Sequence, residues 1–157
     1  MIETSRMTIA VNTNAKEAIH EALKKGMKIV GMQAESYAKQ MCPIRTGLLR
    51  NSITFALSGE ATNITAYTDD NGENPGKYEG TAPENGNGIT LYLGSNVHYA
   101  PYVELGHHQQ PGRFVPAIGK RLKRSWVDGK TFLRPAIEDH AVEYNFILIS
   151  ALNSAHG

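Results

Sequence analysis

CPIRTGLLRNSITFAL, residues 42–57, is where the hydrophobic period of the chain changes, and the reading of that change decides the fold. Upstream of it, Ala15, Ala18, Ile19, Ala22, Leu23, Ile29, Val30, Ala34, Tyr37, Ala38 and Met41 recur at three- and four-residue steps. That spacing makes one stripe of a long amphipathic helix. Asn14 stands where an N-cap belongs, with Glu17 at the third helical position, a variant of the capping box. Pro43 disfavours helical geometry in the residue before it, so the helix ends at Cys42. Gly26 and Gly31 weaken the helix by about 1 kcal/mol each relative to Ala, and they mark a bend or a close contact with another chain. Thr46-Gly47 then turns the chain. Beyond it Leu49, Ile53, Phe55 and Leu57 alternate with Arg50, Ser52 and Thr54, which reads as a half-buried strand.

Two further strands are expected, a weak one at 61–68 (ATNITAYT) and another at 88–94 (GITLYLG) with Ile89, Leu91 and Leu93 on one face. Residues 96–106 form a short helical turn or two ended by Gly106. The segment 132–152 is the last helix, with Pro135 at its first position and Glu138 and Asp139 in a first turn that favours acids. Its apolar stripe is Ile137, Ala141, Tyr144, Leu148, Ala151 and Leu152. The implied fold class is α+β: a long N-terminal helix and a C-terminal helix packed on a small antiparallel sheet. Length suits one domain over residues 1–157, with a flexible N-terminal arm at 1–13 and two long exposed loops.

Apolar residues make up 41% of the 157, and charged residues 20%, a balance that fits a folded, water-facing protein. Net charge is +1, so bulk charge argues for neither nucleic acid nor membrane. No apolar run approaches the ~20 residues of a membrane span. The N-terminal MIETSRMTIAVNTN lacks the basic start and apolar core of a signal peptide, and a single cysteine suits a reducing compartment. Charge is nevertheless unevenly placed. The 69–88 loop carries Asp69, Asp70, Glu73, Glu79 and Glu84 against Lys77, with Glu60 just upstream. The 107–130 loop carries Arg113, Lys120, Arg121, Lys123, Arg124 and Lys130 against Asp128. This asymmetry is the most informative charge feature of the chain.

Candidate chemistry is sparse. A catalytic thiol needs a depressed pKa, whereas Cys42 sits at a helix C-terminus, whose dipole raises it. Cys42 therefore reads as a packing residue. His20, His98, His107, His108, His140 and His156 lack metal-ligand spacing. Glu104, Glu138 and Asp139 have no paired motif that would make them an acid and a base. No phosphate-binding glycine loop is present, so no cofactor or metal is expected. The basic loop suits either an acidic protein surface or, with Trp126 or Phe114 stacking on bases, a phosphate backbone. A nucleic-acid-binding module using 113–130 is thus the alternative function, and a small hydrolase built on Cys42 or a histidine a third.

Three segments together resemble the head–tail connector, or tail-completion, family of tailed bacteriophages. Pro43, Thr46, Gly47, Leu49, Arg50, Ser52 and Ile53 carry the first motif. YAPYVELG (99–106), with Tyr99, Tyr102, Glu104 and Gly106, carries the second. FLRPAIE (132–138), with Phe132, Leu133, Arg134 and Pro135, carries the third. The resemblance implies a structural virion protein at the head–tail junction and not an enzyme, assembled in the host cytoplasm. The implied partners are copies of itself in a ring, sixfold or else twelvefold, head-completion or adaptor proteins, and the tail terminator or tube protein. DNA would pass through the lumen, and no membrane is involved. Within this reading Asp69, Asp70 and Glu73 on one loop and Arg113, Lys120, Arg121, Lys123 and Arg124 on the other are interface candidates. Arg134 is expected to pair with Glu104 and so join the last two motifs.

Overall fold

Strand β5 (Gly88–Ser95) is the spine of the molecule, and its alternation of Ile89, Leu91 and Leu93 is buried as the sequence predicts. In this computed structural model, residues 3–10, 17–86, 88–109, 112–116, 119–121, 123 and 125–156 are described. Strand β1 (Glu3–Ala10) pairs with one edge of β5 and β2 (Thr54–Leu57) with the other, both antiparallel, in the order β1-β5-β2. Leu91 lies opposite both Met7 and Leu57, and Tyr92 opposite both Arg6 and Ala56. Successive residues of a strand point to opposite faces, so the Leu91 row faces the core and the Tyr92 row faces outward.

Helix α1 (Glu17–Met41) packs on the core face through Leu23, Met27, Val30, Ala34 and Ala38. Its two glycines serve contacts inside the chain rather than a bend or a neighbour. A Cβ at Gly26 would stand 2.9 Å from that of Ala151, and one at Gly31 would overlap the Phe55 ring. The stripe differs from the predicted one where the helix meets these partners: Ile29 and Met41 are exposed, while Met27 and Glu35 are buried. Glu35 is satisfied by Lys39 Nζ at 2.8 Å and Asn63 Nδ2 at 2.9 Å. Asn14, the expected cap, lies outside the described residues.

The segment after Gly47 departs from expectation. It forms a short helix, α2 (Leu48–Ser52), before β2 begins. Leu49 and Ile53 are four residues apart, a spacing that puts them on one face of a helix and of a strand alike; both are buried. The period was ambiguous there, and the hydrogen bond from Asn51 N to Gly47 O at 2.8 Å shows which geometry prevails. Thr46-Gly47 is thus a helix-to-helix turn.

Other elements are corrected in kind. The arm expected to be flexible over 1–13 contains β1, whose short alternation of Met7 and Ile9 with Arg6 and Thr8 is enough for an edge strand. The strand expected at 61–68 shrinks to β3 (Ala66–Tyr67), which pairs with β4 (Gly76–Lys77) away from the main sheet. The short helix α3 (Ala100–Leu105) ends at Gly106, with φ 87°, as predicted. The basic loop is a two-stranded arm: β6 (Gly106–His108) pairs with β9 (Trp126–Asp128), and β7 (Phe114–Val115) with β8 (Lys120–Arg121). The last helix divides into α4 (Leu133–Glu138) and α5 (Ala141–His156). Pro135 is the third residue of α4, not the first. Around the break, Tyr37 donates to Glu143 Oε2 at 2.5 Å and stacks on His140 with centroids 3.6 Å apart. The whole is α+β, with the long N-terminal helix and the C-terminal helices on a small antiparallel sheet.

Candidate functional site

The first motif holds the acidic loop of its own chain. Gly47 has φ 83°, and an added Cβ would collide with the Asp70 carboxylate. That carboxylate accepts from Arg50 Nη2 at 2.7 Å and Asn51 Nδ2 at 3.0 Å, while Asp70 N donates to Thr46 O at 2.9 Å. Asn51 also reaches Thr68 O. Asp69 is buried, and its carboxylate accepts from Asn71 N at 3.0 Å, Glu73 N at 2.8 Å and Asn74 Nδ2 at 2.9 Å. These bonds, that from Asn74 foremost, hold its pKa below the usual aspartate value. Two of the three acidic interface candidates are therefore engaged within the subunit. Asp70 is exposed though engaged, and the other exposed acids of the segment are Glu73, Glu79 and Glu84, of which Glu79 lies 2.7 Å from Lys77.

Ser52 sits beneath this turn. Its hydroxyl donates to Leu49 O at 2.6 Å and lies 2.6 Å from Ser95 Oγ, which in turn accepts from Val97 N. Tyr78 OH donates to Ser52 O at 2.7 Å and accepts from Asn96 N at 3.0 Å. Burial pushes the Tyr78 phenol up to about 12, so it stays protonated and keeps that bond. Asn51, Tyr78, Ser95 and Asn96 carry no signal in the sequence, because polar residues at the ends of elements and in loops look alike until the fold closes over them. Pro43, Thr46, Gly47 and Leu49 share a groove with Tyr99 and Val103, which brings the first two motifs together.

Glu104 joins the second motif to the third, but not through the Arg134 guanidinium. Its buried carboxylate caps the start of α4. Oε2 accepts from Phe132 N at 2.8 Å and Leu133 N at 3.1 Å, and Oε1 from Arg134 N at 3.1 Å. A helix start leaves amide donors without intrahelical partners, and a carboxylate is a strong acceptor for them. Phe132 and Leu133 are fully buried, and Arg134 is exposed. The motifs are thus a frame, and their residues are mostly turned inward.

The arm is the opposite case. Arg113, Phe114, Lys120, Arg121, Lys123 and Trp126 are all exposed; Arg124 lies outside the described residues. Arg121 stands 6.0 Å over the Phe114 ring and donates to Gly112 O at 2.8 Å. His108 meets Trp126 edge-on at 4.8 Å, and Trp126 Nε1 donates to Asp128.

The catalytic readings find little geometry. Cys42 is 4% exposed, its thiol donates to Pro43 O at 3.4 Å, and burial pushes its pKa up to about 11. Among the described residues no group of three or more His, Cys, Asp or Glu could hold a metal ion.

The motif residues thus face mostly inward, while the described charged and aromatic side chains of the arm are exposed. A family model described as "Bacteriophage HK97-gp10, putative tail-component" matches residues 6–106, and the chain belongs to this HK97-gp10-like family of phage tail components. Comparison with curated proteins and with solved structures gave no match. The matched span runs from β1 through α3, so the first two motifs lie inside it and the third lies beyond it. A phage tail component is part of the virion and works among other virion proteins. No helix among the described residues is long and apolar enough to cross a membrane.

Proposed function

We propose that this protein is a non-enzymatic tail-completion component of the phage neck, forming a ring that joins the capsid portal and head-completion complex to the tail. Its partners in this reading are copies of itself, a head-completion or adaptor protein on one side, and the tail terminator or tube protein on the other. DNA passes through the lumen unread. The supporting observation is the division of labour in the chain: the family motifs lock the frame internally, while the 106–128 arm presents its charge and its aromatic rings outward. A part that works by position needs such a rigid body and a reaching element.

Electron microscopy of lysates from phage lacking the gene is the direct test. Filled or partly filled heads and separate tails that fail to join are the expected result. Purified protein added to that lysate should restore joining. Normally joined virions, or the loss of both heads and tails, would show the assignment to be mistaken.

A further inference from the structure

The sheet has an outer face that the first motif, the core and the helices leave open. Its floor is the row Arg6–Tyr92–Ala56. Its wall is the backbone and side chains of 78–83, led by Tyr78 and Pro83. Together they enclose a cleft of about 330 Å³, within the usual size of a binding pocket. Glu79 stands at its edge, and the exposed Glu73 and Glu84 belong to the same acidic segment.

Among its described residues the arm packs little on the rest of the single chain. A two-stranded ribbon alone is at best marginally stable in water. Beyond its own pairing, the described part of the arm packs chiefly at its root, on α3. Phe114 is 49% exposed and Trp126 41%. Aromatic and arginine side chains are the residues that most often anchor interfaces. The arm's charge is positive, and the 69–88 segment, of which 78–83 walls the cleft, carries five acids against Lys77.

We infer that the 106–128 arm of one copy docks on the outer sheet face of a second copy, with Phe114 entering the Tyr78–Tyr92 cleft and Lys120 and Arg121 facing Glu79 and Glu84. The two surfaces differ, so the contact is head-to-tail. Such contacts propagate around a ring and close it when the rotation allows. Opposite charge steers the arm to the acidic 69–88 segment and suppresses arm-to-arm encounters. The inference rests on the ring-forming reading above and assigns the interface within it.

Disulfide trapping in the full-length chain tests it. Cys42 is buried and contributes no background. A Phe114→Cys, Thr81→Cys double variant, oxidised under ring-forming conditions, should give a ladder of covalent oligomers. The two single variants mixed should give dimers and no ladder. Charge exchange supplies a readout that does not depend on new cysteines. Lys120→Glu with Arg121→Glu should lower the assembled fraction about tenfold at moderate salt, equivalent to ~1.4 kcal/mol, and Glu79→Lys with Glu84→Lys on the same chain should restore it. Rings that form without a ladder, and survive the arm reversal, overturn the docking but leave the neck reading standing. Absence of rings together with normal head–tail joining overturns both. If the reversal instead abolishes salt-sensitive retention of duplex DNA and leaves rings and ladder unchanged, the arm is a nucleic-acid element and the docking is wrong.

Discussion

Gly47 and Glu104 show how much of this fold depends on single residues. Gly47 combines a positive φ with a space already filled by Asp70, so a side chain there meets backbone strain and a collision together. Gly47→Val should lose about 2 kcal/mol or more in urea unfolding. A parent-like midpoint would mean the turn is not as described. At Glu104 the carboxylate serves three amides, and a carboxamide offers only one acceptor oxygen. Glu104→Gln should cost about 2 kcal/mol, from two weakened bonds and one amide left without its acceptor, and should loosen the start of α4 in amide exchange. Cys42 predicts the reverse: the folded thiol should resist alkylation at neutral pH, since it is buried and its pKa is about 11. Cys42→Ser should cost about 1 kcal/mol or less and leave joining intact. Sequence alone placed Cys42 and Gly47 in structural roles. It linked Glu104 to the right segment through the wrong atoms, because an acid near an arginine suggests an ion pair, while the geometry delivers backbone amides.

Among the elements, those with an unambiguous period were legible and those without were not. α1 and β5 are long or strictly alternating, and both stand where expected. The 48–52 stretch suits a strand as well as a helix because Leu49 and Ile53 satisfy both periods, and β1 gives little signal because its alternation is brief and lies in a polar N-terminus. The α4–α5 break was invisible because Asp139 and His140 are both tolerated in helices. It is held by Tyr144, which is fully buried and whose hydroxyl donates to Ala136 O. Tyr144→Phe should therefore cost about 1–3 kcal/mol by leaving that carbonyl unpaired, with α5 opening first in exchange. The acidic segment carries a pH dependence of its own. The Asp69 pKa is lower folded than unfolded, so its stabilising effect is present above the unfolded value of about 3.9 and disappears as pH falls through the folded value. The 69–74 turn should loosen below about pH 4, and Asp69→Asn should flatten that part of the acid unfolding curve. An unchanged acid limb in the variant would remove Asp69 from this account.

On the scale of the whole molecule, β1 pairs with β5 and α5 packs on α1, so the frame forms from contacts distant in sequence. Such pairings must form together or not at all, and the motifs at 43–53, 99–106 and 132–135 lie where the separate elements meet. The arm is outside this cooperative body. None of its described side chains between Gly112 and Trp126 is buried. That separation makes a sharp prediction. Replacing 109–125 by a two-residue Asn-Gly turn keeps the β6–β9 pairing, and Asn-Gly is the favoured sequence for so short a hairpin. The shortened protein should unfold in one transition within about 1 kcal/mol of the parent, because the lost contacts are solvent-exposed. It should also fail to restore head–tail joining when added to a lysate lacking the protein. The two measurements must diverge for the division between frame and arm to hold. If the shortened chain unfolds far more easily, the arm is part of the frame; if it restores joining at parent levels, assembly runs through some other face of the molecule.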